Sequence, residues 1–123
     1  MDLHSLARQW FVEGAKRIEL QKLAMELGIS RATAYRWAGS AEQLVGNVLA
    51  SLVDDTYKQI AQRTTSTGRE RVLEVLERGM RSAYGFQPLR QFLAKDAQLG
   101  LKIVASKHGP VQERTIANLQ QLL

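Results

Sequence analysis

Between Gly28 and Ala41 the chain places Arg31, Thr33, Tyr35 and Arg36 in one short run and carries no Asp or Glu at all. Guanidinium, hydroxyl and phenol groups of this kind donate hydrogen bonds into a DNA groove or onto its phosphates. Phosphate repels carboxylates, so an acid-free stretch is what a DNA-facing surface requires. The chemistry expected here is recognition. Bond-making chemistry finds little to work with: His4 and His108 are the only histidines and there is no Cys. Neither histidine has metal-ligand spacing, His108 reads as a turn residue in Lys-His-Gly-Pro, and no phosphate-cradling Gly loop or Ser elbow is present. No catalytic residue, metal or cofactor is expected, and an enzyme is the excluded class.

The elements that must position those groups are two helices and a tight turn. Leu20, Leu23, Ala24 and Leu27 recur at helical spacing, Gly28 can take the left-handed conformation that stops a helix, and Ile29 offers an apolar plug. Ser30 suits the cap of a second helix from Arg31 to Trp37, its oxygen accepting a backbone N–H near Thr33. Ala24 is small where the two helices must cross. Leu3, Leu6, Ala7, Trp10 and Phe11 form the stripe of a preceding helix that ends near Gly14. Three helices make a minimal DNA-binding head over residues 1–40; the plainer reading of the same spacing is an ordinary packed helix pair.

Beyond the head, Gly39-Ser40-Ala41-Glu42-Gln43 reads as a capping box opening a helix of about five turns, with Leu44, Val45, Val48, Leu49, Leu52, Val53, Tyr57 and Ile60 on its apolar face. Thr64 to Gly68 is the linker candidate. A fifth helix carries Val72, Leu73, Val75, Leu76, Met80 and Ala83, and Gly85-Phe86-Gln87-Pro88 forces a turn. Two short helices follow, around Leu89, Phe92 and Leu93 and around Leu99, Leu101, Ile103 and Val104. Pro110 opens a last helix with Val111, Ile116, Leu119 and Leu122. No run reads as a strand, so the fold class is all-α.

At 123 residues and a net charge of +5, bulk charge does not locate the motif. Residues 1–63 hold eight Lys/Arg against seven Asp/Glu, and residues 64–123 nine against five. No apolar run approaches the roughly 20 residues that cross a bilayer, and the N-terminus is not signal-like, so a cytoplasmic protein without a membrane partner is expected.

The first 60 or so residues, above all SRATAYRWAGSAEQL at 30–44, resemble the TetR family of bacterial transcription regulators. The Tyr-Arg-Trp-x-Gly-Ser form looks most like a QsdR-like subgroup, linked to lactone and quorum-signal degradation genes. The resemblance implies a helix-turn-helix head that binds operator DNA, followed by an all-helical regulatory domain over residues 41–123. By motif position it implies Arg31, Ala32 and Thr33 near base edges and Tyr35, Trp37 and Arg36 near phosphates, with Ser30 opening the helix. Arginine can pair with guanine, a Thr or Ala methyl can touch thymine, and Tyr O–H or Trp N–H can donate to phosphate. Three departures stand out. Ala34 and Ala38 replace larger apolar residues, which leaves Trp37 two destinations, the DNA or the vacated interior. Ala41 replaces a cation that reaches phosphate, and Ile18 and Glu19 replace capping hydroxyls.

The region FQPLRQFLAKDAQLGLKIVASKHGPVQERTIANL also resembles the family, whose C-terminal domains enclose a small-molecule pocket and dimerise through late helices. The implied pocket set is Tyr57, Met80, Tyr84, Phe86, Phe92, Leu99 and Val104, for an effector such as a lactone or acyl chain, although close packing is the competing reading. The chain ends in LQQLL, so either it is a fragment of a homodimeric, ligand-responsive repressor or the usual dimer surface is missing; a fragment is the expectation. The other reading is a helical protein-interaction module or truncated antagonist that no longer binds DNA.

Overall fold

The computed structural model describes residues 2–14, 18–105 and 109–122. The helices there run α1 (Leu3–Val12), α2 (Leu20–Leu27), α3 (Arg31–Ala38), α4 (Ala41–Arg63), α5 (Gly68–Gly85), α6 (Gln87–Lys95), α7 (Ala97–Val104) and α8 (Pro110–Gln120). The all-α expectation holds, with no strand among the described residues. His108 lies outside the described residues, as does Leu123.

Local chemistry sets most of the boundaries. Asp2 accepts from the Ser5 N–H at 2.7 Å to open α1, and Ser40 accepts from the Gln43 N–H at 3.1 Å to open α4. Asp96 does the same for α7, accepting from the Leu99 N–H at 3.4 Å. The fourth helix is longer than expected, 23 residues and more than six turns. Its last carbonyls are satisfied from outside: the Arg71 guanidinium donates to the oxygens of Ala61 and Thr64 at 3.1 Å each. Thr64 is buried and its hydroxyl donates to the Ile60 carbonyl at 2.7 Å. The helical pattern breaks at 64–67 as expected, but the break is a knitted corner between α4 and α5, and Gly68 already belongs to α5.

One apolar cluster joins the two ends of the molecule. Leu3, Leu6, Ala7 and Phe11 of α1, Leu20 and Leu23 of α2, Leu44, Val45, Val48 and Leu49 of α4, and Ile103 of α7 are all buried in it. Phe11 extends it to α6, meeting Phe92 edge-on with ring centroids 5.6 Å apart and Phe86 at 6.4 Å. The fifth helix is less buried than its pattern promised. Val75 is fully enclosed, but Leu73 and Met80 are exposed. Gly79 of α5 lies against Tyr57; a Cβ there would come within 2.9 Å of the phenol oxygen, so only glycine lets the ring press onto the helix backbone. Ile116 is exposed on α8, whereas Leu119 and Leu122 are half-buried.

The most extensive helix pair is α4 with α8. They run side by side in the same direction, Gly46 beside Pro110 and Asp54 beside Arg114 and Asn118. Arg114 reaches both oxygens of Asp54 through Nε at 3.0 Å and adds Nη2 at 2.9 Å. The buried Asn118 amide donates to the same carboxylate at 2.8 Å. Burial pushes the Asp54 pKa up, but the hydrogen bonds from Arg114 and Asn118 and the charges of Arg114 and Lys58 outweigh it and hold the carboxyl below its ordinary range. A depressed carboxyl stabilises the fold above the unfolded pKa and ceases to as pH falls through the folded value. Asp54→Ala is expected to lower the unfolding free energy at neutral pH by about 1–2 kcal/mol, part of it from the buried amide left short of a partner. The deficit of Asp54→Asn is expected to shrink on acidification; chemical melts at neutral pH and at about pH 3 check this, and a constant deficit overturns the assignment.

Candidate nucleic-acid interface

The turn between α2 and α3 forms as its residue types dictate. Gly28 has φ 70° and ψ 28°, and the Ile29 N–H donates to the Ala24 carbonyl at 3.0 Å while that of Gly28 reaches Met25 at 3.3 Å. This paired closure ends α2 and turns the chain at once. Ser30 then accepts from the Thr33 N–H at 3.1 Å and donates to the Thr33 hydroxyl oxygen at 2.8 Å. Glu19 precedes α2 without a side-chain cap and instead pairs with Lys22 at 3.5 Å.

The inward side of α3 is made of alanines. Ala34 has no exposed surface and Ala38, one turn on, is half-buried against the core. At about 100° per residue, Ala32 and Arg36 fall opposite Ala34, Arg31 and Tyr35 lie along one flank, and Thr33 and Trp37 along the other. The burial pattern agrees: Arg31, Ala32, Tyr35, Arg36 and Trp37 are exposed and Thr33 is half-buried. Trp37 is 58% exposed, so it does not turn inward to replace the volume that Ala34 and Ala38 lack. The indole stays with the outward groups.

Two features of this surface escaped the sequence reading. The Arg31 guanidinium sits over the Tyr35 ring, 5.6 Å from its centroid, a cation–π contact that aims both side chains. Their four-residue spacing was the available signal. Gly39 has φ 79°, and the Gln43 side-chain oxygen occupies the space a Cβ would need. That glycine lets α4 start immediately behind α3. Glu42, the first acid after the stretch, pairs with Lys102 of α7 at 3.3 Å, which mutes its charge near the surface. Ala41 is half-buried against the core.

A second candidate site lies between α4, α5 and the later helices, a cavity of about 490 Å³. Tyr57, Met80, Phe86 and Val104 of the expected set line it. Tyr84 points away, 78% exposed, Phe92 is spent on Phe11, and Leu99 packs on the core. Periodicity could not separate these three from the lining residues, because all occupy apolar helix positions. Burial raises the Tyr57 pKa above its ordinary value, so the phenol stays neutral. The wall also includes groups no local pattern announced: Arg8 from α1, with Asp55, Thr56 and Thr115.

Residues 67–123 match the family model of the tetracyclin repressor-like C-terminal domain. No curated protein matches the chain. Among solved structures the chain is similar to the R. erythropolis transcriptional repressor QsdR from the TetR family, with a TM-score of 0.89 and 28% identity. That match covers 98% of this chain and 65% of the other, so the chain spans about two-thirds of that protein's length.

The cap at Ser30 holds the whole outward row in register. Ser30→Ala is expected to cost about 1 kcal/mol and Ser30→Gly only a few tenths, measured by denaturant melts. Equal losses in the two variants would show that the hydroxyl's bonds to Thr33 do not secure α3.

Proposed function

We propose that this chain is a TetR-type DNA-binding transcriptional regulator, not an enzyme, which reads an operator through α3; the match of residues 67–123 to the tetracyclin repressor-like C-terminal domain and the likeness to the QsdR structure support this reading. One observation carries the reading: α3 turns Ala34 and Ala38 inward and an acid-free row of Arg31, Ala32, Tyr35, Arg36 and Trp37 outward. In this reading residues 1–40 are the DNA head and residues 41–123 the connecting helix and regulatory part. Ser30 and the first turn of α3 enter the major groove. Arg31, Ala32 and Thr33 meet base edges, and Tyr35, Arg36 and Trp37 meet phosphates.

The solved relative is a repressor by its title, which favours repression for this chain too. The cavity along α4 suits a small, largely apolar effector such as a lactone or acyl chain, whose binding would shift α4 and with it the head. Tight operator binding then calls for a homodimer with its recognition helices about 34–36 Å apart, or a multiple of that, acting in the cytoplasm.

Anisotropy titrations of duplex DNA over a salt series test the reading. Arg36→Ala is expected to weaken binding to all sequences and reduce the salt slope by about one. Arg31→Ala or Thr33→Ala is expected to change sequence preference, a contacted base being worth about 1–3 kcal/mol. Unchanged affinity in Tyr35→Ala and Arg36→Ala removes α3 from the interface, and an absence of salt-dependent binding by the wild type leaves the protein-interaction module.

A further inference from the structure

Among the described residues, the wall of the α4–α5 cavity contains a single cationic side chain, and it comes from the head. Arg8 of α1 donates from Nη1 to the Ser51 hydroxyl of α4 at 3.2 Å and from Nη2 to the Asp55 carboxylate one turn further on. This bridge joins positions 43 and 47 residues apart and ties α1 to the middle of α4. The remaining wall is mainly hydrocarbon, with Leu52, Phe86, Leu89 and Val111 among it. Resting on the effector reading of this cavity, we propose that its ligand is a singly charged carboxylate amphiphile whose head group takes Arg8 from Asp55 and so unlatches α1 from α4.

Donor supply, solvation and shape support the exchange. A guanidinium has five N–H donors, and two hydrogen bonds leave it able to receive a second carboxylate. The Asp55 side chain is 49% exposed, so water can solvate it once Arg8 departs. A partly exposed ion pair contributes little by itself and is readily traded. The incoming carboxylate restores the charge pairing, while its hydrocarbon tail gains burial that Asp55 cannot offer. A neutral head group could accept from Arg8 but would bring no charge to compete with Asp55.

Octanoate and octanamide, which share a tail and differ in charge, make the comparison on the 123-residue chain by calorimetric titration. Wild type is expected to bind octanoate about tenfold tighter than octanamide, as a charge-assisted pair should exceed a neutral one. Arg8→Gln is expected to bring octanoate down to about the amide's affinity while weakening octanamide far less. Asp55→Asn, which removes the competitor and keeps the cation, is expected to tighten octanoate several-fold. Amide hydrogen exchange across α1 should rise with octanoate and not with octanamide. Equal affinities in wild type, or discrimination that survives Arg8→Gln, overturns the anchor and leaves the cavity as an effector site. Exchange in α1 that octanoate leaves unchanged overturns the unlatching. Binding of neither compound overturns the effector reading together with this proposal. If Arg8→Gln fails to fold, the wild-type comparison and Asp55→Asn decide the matter.

Discussion

Burial of the first turns of α4 is the constraint on which the other features depend. Leu44, Val45, Val48 and Leu49 lose their water in one cluster shared with α1, α2 and Ile103 of α7. At about 25 cal/mol per Å² of apolar surface, such a shared wall outweighs any of the surface ion pairs around it. The consequence is geometric. The head shares its core with α4, and α4 shares it with the later helices, so the outward face of α3 is mechanically coupled to the cavity at the far end.

Small residues set how closely these parts approach. Ala24 and Ala34 are buried where α2 and α3 meet the head's core, and Gly79 and Gly100 admit Tyr57 and Leu93 where a Cβ would collide. Close approach through alanine and glycine leaves few voids and needs no bulky side chain to fill them. Ala34 is fully buried and Ala38 packs on the core, while the Trp37 indole stays with the exposed groups.

What could be read in the sequence was local. The Gly28 turn and the Ser30 and Ser40 caps depend on residues within five positions of one another, the amphipathic stripe of α1 on a single short helix, and each formed where it was expected. Features that depend on distant partners were not legible. Arg71 reaching back to Ala61 turned an apparent linker into a corner, and Arg8 crossing to Asp55 placed a head residue in the cavity wall. For the same reason only Tyr57, Met80, Phe86 and Val104 of the expected set line the cavity: apolar helix positions look alike in sequence, and the packing of Phe92 on Phe11 and the exposure of Tyr84 distinguish them. Asp96 was a local signal that went unused, a short acid one residue before a helix.

The Arg71-capped corner also makes α4 a lever. Its carbonyl end is gripped by α5, and its 23 residues form a rod about 34 Å long at roughly 1.5 Å per residue. With the corner as fulcrum, a tilt of about 5° carries the opposite end of that rod through about 3 Å. The rise of one DNA base step is close to 3.4 Å. A rotation smaller than the usual scatter in helix-packing angles is thus enough to move the head by nearly a full base step.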